Sequence, residues 1–297
     1  MAHATPAAPT TRGFFLDGKW LSEGDPFEVR APYDGSVIAT AFRPRPEHLE
    51  AAVRAAERAF KTTRKMGAYE RQRILRAVAQ SITARREELS RTIALEAGKP
   101  IRTARAEVDR AIFTSTLAAE ESVRIAGEWL PLDLLPSTAG RWAIVRRYPL
   151  GPILSITPFN FPLNLVLHKV TPAIAAGCTV VHKPHPQTPL SSLLLAEIVE
   201  QAGWPAGALN VLPLGGPDTE PLVTDDRLKL LSFTGSAAVG WALKAKAGKK
   251  RVALELGGNA AVIVHHDADV DFAAERCVAG GFSYAGQSCI SVQRILI

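Results

Sequence analysis

The spacing of apolar positions changes along the chain, and the changes mark its organisation. From Phe14 to Ala39 short apolar clusters alternate with turn residues, which predicts a β-like lead-in. Residues 47–61 place Leu49, Val53, Ala56 and Phe60 on one helical stripe. A second stripe, Leu75, Val78, Ile82, Leu89 and Ile93, predicts a helix stopped at Gly98-Lys99-Pro100. Val108, Ile112 and Ser115 share a face of a third helix ending near Gly127, completing a helical layer over 47–126. At 142–148 the period drops to two: Trp142, Ile144, Arg146 and Tyr148 alternate with Ala143, Val145 and Arg147. Both faces of this strand, near 141–149, carry apolar surface, so it is expected to meet another layer or another subunit.

From Gly151 the pattern becomes alternating strand and helix. Short apolar runs at 153–156, 179–182, 209–212, 228–233 and 252–255 predict strands. Helix candidates at 163–176, 190–202, 217–224 and 236–247 lie between them. Brief, continuously apolar strands joined by helical crossovers predict a parallel sheet covered on both faces, an α/β, Rossmann-like fold. Ligands of such sheets bind outside the carboxyl ends of the strands.

Composition narrows the classes. A chain of 297 residues suggests about two domains at ~100–200 residues each. With 47% hydrophobic and 22% charged residues it can fill a core, which excludes wholesale disorder. No apolar run reaches the roughly 18 residues that span a bilayer, so no membrane role is expected. Residues 1–13 lack a basic start and an apolar stretch; they read as a loose tail, not a secretory signal. Three cysteines, Cys178, Cys277 and Cys289, make no disulfide framework and favour a cytoplasmic setting. The net charge of +6 arises between Glu47 and Arg110, where 15 basic residues face 9 acidic ones. Only Phe60 and Tyr69 are aromatic there, and the charges alternate with apolar residues at helical spacing. That is the pattern of solvated helix faces rather than a nucleic-acid platform.

Chemistry-bearing residues collect at the predicted strand ends. Asn160 lies in the proline-bracketed turn Pro158-Phe159-Asn160-Phe161-Pro162 after the first parallel strand, either a turn former or a polar donor. Lys183 follows the second strand in Lys183-Pro184-His185-Pro186, solvated or aimed at ribose hydroxyls and phosphate. Gly235 and Ser236 follow the fourth strand and open a helix, as an anion site or an ordinary serine cap. Glu255 ends the fifth strand beside Gly257-Gly258 and is placed to act as a general base. Cys289, in G-G-F-S-Y-A-G-Q-S-C-I near an expected helix start, is either an activated thiolate or an inert buried thiol. Cys178 and Cys277 sit in apolar elements and fit the inert role. The run H-H-D-A-D-V-D from His265 to Asp271 reads as the cap of a helix starting near Asp269; no metal site is assigned.

In order and spacing, L-E-L-G-G-N-A-A (Leu254 to Ala261), F-S-Y-A-G-Q-S-C (Phe282 to Cys289), P-F-N-F-P, K-P-H-P-Q-T-P and F-T-G-S closely resemble the aldehyde dehydrogenase superfamily. The match runs from about Phe14 to Ile297, in the style of its semialdehyde and lactaldehyde branches. The resemblance implies that Cys289 attacks an aldehyde carbonyl and that the Asn160 amide with the Cys289 N–H holds the oxyanion. Hydride then leaves to NAD or NADP, and Glu255 activates the water that hydrolyses the thioester to a carboxylic acid. It puts Lys183 on the adenosine ribose, Gly235 and Ser236 near the pyrophosphate, and Pro158, Phe159 and Leu256 along the cofactor. NAD-preferring members carry Glu where this chain has Pro186, so both cofactors are expected. It implies a division into a dinucleotide-binding domain at 14–255 and an incomplete catalytic domain at 256–297, and a homo-oligomer in intact relatives.

The chain stops eight residues after Cys289, where members of the superfamily continue. The resemblance therefore implies a truncated member lacking the E-I-F-G-P segment, with 292–297 an unpaired apolar edge. The competing readings are a non-catalytic fragment that binds dinucleotide or a partner, and a thiol hydrolase pairing Cys289 with a histidine. Phe159, Phe161 and Arg105 are the candidates for the substrate mouth.

Overall fold

A computed structural model describes residues 10–297. The lead-in is a set of five short strands, Thr10–Arg12 (β1), Phe14–Leu16 (β2), Lys19–Leu21 (β3), Asp25–Arg30 (β4) and Val37–Arg43 (β5). Residues 1–9 of the expected tail lie outside the described residues, and Thr10–Arg12, assigned to that tail, pairs in parallel with β5. Helices Pro46–Thr63 (α1), Ala68–Ala84 (α2), Arg86–Ala97 (α3) and Ile101–Ser122 (α4) follow. The single helix expected over the second stripe is two. Arg85 leaves helical geometry (φ −98°, ψ 20°), and Glu88 and Glu197 hold its guanidinium there at 2.7 and 2.9 Å. Leu89 and Ile93 are thereby buried on a second axis. Gly98 ends α3 in the left-handed region (φ 65°), where only glycine sits without cost. The third helix stops at Ser122, five residues before Gly127.

Glu128–Pro131 (β6) and Trp142–Val145 (β7) form an antiparallel hairpin. β7 was expected; β6 was not, because E-W-L-P is short and ends in proline. Trp129, Trp142 and Ile144 are all exposed on it, an apolar surface that nothing in the described chain covers.

The five apolar runs become Ile153–Ile156 (β8), Val180–Lys183 (β9), Leu209–Val211 (β10), Leu230–Gly235 (β11) and Arg251–Leu256 (β12). Asn164–Ala175 (α5), Leu190–Gln201 (α6), Glu220–Thr224 (α7) and Ala237–Lys246 (α8) connect them. All four pairings among these strands are parallel, and β2 and β3 extend the sheet antiparallel in the order β12-β11-β8-β9-β10-β2-β3. One face packs α1, α7 and α8 through Leu49, Val53, Leu222 and Ala247. The other packs α5 and α6, backed by α2 to α4, through Leu75, Ile93, Val108, Leu167 and Leu195. Burial on both faces is why these strands read as unbroken apolar runs. The order in which successive strands join the sheet reverses between β8 and β11, and that switch point opens a crevice at their carboxyl ends.

After β12 come Ala260–Ile263 (β13), Val270–Phe282 (α9) and Val292–Leu296 (β14). β14 pairs in parallel with β13, Val262 opposite Ile295, and in this two-stranded sheet its other edge is the unpaired one expected at 292–297, with Ile295 and Leu296 exposed. The Asp269 carboxylate accepts from the Phe272 N–H at 3.0 Å and caps α9, as its sequence indicates.

Candidate active site

Asn160 sits half-buried in the turn between β8 and α5. Its Nδ2 donates to the Gln287 carbonyl at 2.9 Å, while its Oδ1 is buried without a donor. That bond ties the proline-bracketed turn to the segment carrying Cys289. Cys289 is exposed, Cys178 is buried and Cys277 lies between. The expected helix start at Cys289 is absent: α9 ends at Phe282, and Cys289 occupies a turn before β14. Just ahead of it Tyr284 (φ 51°) and Ala285 (φ 53°) are left-handed, as is Gly286 (φ 73°). Each non-glycine residue there costs roughly 1–2 kcal/mol, so surrounding contacts must hold this turn.

Glu255 is the exposed penultimate residue of β12, which runs one residue further than expected. The following turn lies against the cysteine segment. A side chain on Gly258 would begin 3.6 Å from the Cys289 carbonyl oxygen, and Gln293 Nε2 donates to the Gly258 carbonyl at 3.0 Å. The Asn160 turn and the turn that follows Glu255 at the end of β12 thus both lie against the segment that carries Cys289.

Lys169, on α5, completes this neighbourhood and was not singled out in the sequence. It is buried and donates to Ser232 Oγ at 3.1 Å. Burial pushes its ammonium down to about 8, and the Glu255 carboxylate opposes the shift. His168 beside it is held below the usual range by desolvation, then by Arg110 and Lys169, with Glu255 again opposing. His168 and Arg110 also line a groove of about 650 Å³ between α4 and α5, with Phe113 and Leu117 on its apolar wall. Arg105 is not at this mouth; it pairs with Glu87 at 2.8 Å on the helical layer.

The remaining predicted residues lie along the β8–β11 crevice. Lys183 ends β9, buried, and among the described residues its Nζ finds no acceptor. Burial lowers its ammonium to about 8 while Asp218 pulls it back. His185 falls to about 4 through burial and the Lys183 charge, and Phe159, next to Pro158, meets its ring edge-on at 5.5 Å. Ser236 Oγ accepts from the Val239 N–H at 3.5 Å, so Ser236 caps α8 as its ordinary reading holds. Gly235 ends β11 before that cap, and Leu256 packs under α8 in the core, where a side chain on Gly240 would collide with it. Beside the cap a cleft of about 360 Å³ is lined by Gly216, Pro217, Val239 and Leu243. The Lys183 ammonium, at the end of a largely buried side chain, the N-terminus of α8 and this cleft are the groups that could hold the hydroxyls, phosphates and base of a dinucleotide.

The aldehyde dehydrogenase family model matches residues 20–297. The chain belongs to the aldehyde dehydrogenase family. It is 41% identical over 286 residues to 3-sulfolactaldehyde dehydrogenase of Priestia megaterium, covering 96% of this chain and 60% of that one. The structure of aldehyde dehydrogenase 21 from Physcomitrella patens, in complex with the reaction product succinate, superposes with a TM-score of 0.93 at 43% identity. That match covers 97% of this chain and 61% of the other. An NADP-dependent enzyme from Escherichia coli superposes with a TM-score of 0.91 at 37% identity over 96% of this chain and 60% of its own. The chain thus spans about 60% of the length of the relatives it matches. Among the described residues no helix is long and apolar enough to cross a membrane.

Proposed function

We propose that this member of the family oxidises a small aldehyde to its carboxylic acid with NAD or NADP. The observation that carries the reading is the meeting of the Asn160, Glu255 and Cys289 loops through the Asn160–Gln287 bond and the Gly258–Cys289 approach. Cys289 supplies the sulfur that attacks the aldehyde carbon. The second N–H of the Asn160 amide and the Cys289 backbone N–H hold the resulting oxyanion. When bound, the nicotinamide supplies the hydride acceptor. Glu255 takes a proton from the water that cleaves the Cys289 thioester. Lys183 holds the adenosine ribose, the Ser236 end of α8 the pyrophosphate, and the Val239–Leu243 cleft the base. We place the substrate in the α4–α5 groove and assign it an anionic group that Arg110 and His168 receive. The sulfonated substrate named for the Priestia relative and the succinate product bound by the Physcomitrella one support this class.

The division at 255/256 between a dinucleotide-binding and a catalytic part is retained in this proposal, as is a second copy seated on the β6–β7 hairpin. Three free cysteines suit a cytoplasmic setting.

Mixing the protein with sulfonated, carboxylated and neutral aldehydes and either dinucleotide tests the reading through formation of reduced nicotinamide. Anionic aldehydes should turn over best; dinucleotide binding without any turnover would leave only a binding module. Glu255→Gln should give a burst of about one equivalent of reduced nicotinamide and then fall roughly 10²–10⁴-fold, since only deacylation needs the base. An unchanged steady state in that variant removes Glu255 from the mechanism.

Cofactor choice follows from the Lys183 segment. With Pro186 where a carboxylate would repel a 2′-phosphate, and His185 neutral near pH 7, kcat/KM values for NAD and NADP should agree within about ten-fold. A preference for NAD of several orders of magnitude would refute this.

A further inference from the structure

Lys99 is the one lysine of the helical layer that the fold buries, at 3% exposure, between α3 and α4. Its Nζ donates to Glu107 Oε2 at 2.5 Å, with both side chains fully covered. The same Nζ stands 3.8 Å from the centre of the Phe161 ring and 4.7 Å from that of Tyr284. Phe161 follows Asn160 directly, and Tyr284 opens the left-handed turn five residues before Cys289. The two rings meet edge-on at 6.3 Å, and the Tyr284 hydroxyl donates to the Ala97 carbonyl at 2.6 Å. On its other oxygen Glu107 accepts from the Leu163 and Asn164 N–H groups at 3.0 and 3.2 Å, fixing the start of α5.

We propose that Lys99 is a positioning residue: its ammonium, anchored by Glu107, clamps the rings of Phe161 and Tyr284 and so sets the Asn160 turn against the Cys289 turn. The inference rests on the proposed aldehyde oxidation for its consequence, though not for its geometry. Attraction of a desolvated cation to two aromatic faces is strong and directional. It supplies what the left-handed residues at 284 and 285 require, an external contact that keeps them in place. Without it the two turns remain joined by the exposed Asn160–Gln287 bond and the edge-on contact of the two rings, with the Arg110 guanidinium 5.7 Å from the Phe161 ring centre. The oxyanion donors lie on the two turns, so their spacing depends on the clamp. A loosened clamp should therefore lower the rate of chemistry more than it weakens dinucleotide binding, whose Lys183 and Ser236 anchors lie on β9 and at the start of α8, outside the two turns.

Tyr284→Leu removes one ring without leaving a buried charge alone. It should lower kcat by about ten-fold or more, with KM for the dinucleotide changed by less than about two-fold. Amide exchange in 158–163 and in 283–290 should accelerate together, by about ten-fold or more. Tyr284→Phe keeps the ring and should stay within about three-fold of the parent kcat. In a background with the clamp already neutralised, Lys99→Met with Glu107→Gln, adding Tyr284→Leu should cost nothing further. The clamp is refuted by any of four results: kcat retained in Tyr284→Leu, exchange rising in 283–290 alone, Tyr284→Phe falling as far as leucine, or independent, multiplicative effects in the combined variant. If the parent protein oxidises no aldehyde, the reaction is wrong, and the paired exchange measurement still decides the clamp.

Discussion

Cys289→Ala should abolish aldehyde-dependent formation of reduced nicotinamide, by roughly 10⁴-fold or more, while dinucleotide affinity stays within about two-fold. The size of the loss follows from the position of the thiol in the reaction. Without a covalent adduct there is no tetrahedral carbon from which hydride can depart, and water at the same place is a far weaker nucleophile. The affinity should hold because Cys289 is exposed in a turn at the Asn160 side, whereas Lys183 and the α8 cap are built from other elements. The other cysteines supply the control. Cys178 is 3% exposed in the apolar core and Cys277 lies on α9, so Cys178→Ala and Cys277→Ala should keep turnover. Cys178→Ala should lose about 1 kcal/mol of stability as a buried apolar group is trimmed. Steady-state assays with isothermal titration of the dinucleotide measure both quantities. Retention of more than about one per cent of turnover in Cys289→Ala would mean that another group forms the adduct.

The parts of this fold legible in the sequence are those governed by local periodicity. Ile153–Ile156 is a strand over the residues its apolar run suggests, because both its faces are buried: three of its side chains are aliphatic, and the hydroxyl of Ser155 meets the His182 ring at 2.9 Å. α5, α6 and α8 lie within a residue or two of their expected limits for a related reason, since turns rich in glycine and proline bound them. What escaped depends on contacts between distant segments. No glycine or proline in T-A-R-R-E-E marks the end of a helix; at the break Arg85 is held by its neighbour Glu88 and by Glu197, more than a hundred residues away. The pairing of β14 with β13 likewise joins segments about thirty residues apart. For the site, motif order grouped Asn160, Glu255 and Cys289, and the structure joins the Asn160 turn to the cysteine segment and lays the turn after Glu255 against it. It also corrects the surroundings of the cysteine, a left-handed turn in place of a helix start. That turn, Lys169 and Lys99 were invisible for one physical reason: burial decides what a lysine or a strained tyrosine does, and burial is a tertiary property.

The same reasoning makes Glu107 the position where a single change should cost most stability. Two buried carboxylates of the helical layer cap the helices of the sheet from outside: Glu96 accepts from the Ser191 N–H at 2.9 Å at the start of α6, and Glu107 from the Leu163 and Asn164 N–H groups at the start of α5. They differ in what balances the charge. Burial raises Glu96 to about 7, so near neutral pH it can take up a proton. Glu107 has the Lys99 ammonium against it at 2.5 Å, both side chains at zero exposure. Glu107→Ala therefore strands an ammonium in a dry site and frees two helix N–H groups, a combination that should destabilise the protein by about 3–5 kcal/mol. Glu107→Gln keeps one acceptor for the N–H groups but turns the other end into a second donor facing Lys99, so its loss should be nearly as large. Adding Lys99→Met to Glu107→Gln removes the conflict at both ends and should recover most of the stability, because a neutral pair of similar volume needs no compensation. Urea denaturation of the three variants gives the differences directly. If Glu107→Ala costs less than about 1 kcal/mol, or if the double variant is no better than Glu107→Gln, then water or another anion reaches Lys99 and the pair is not the enclosed one described.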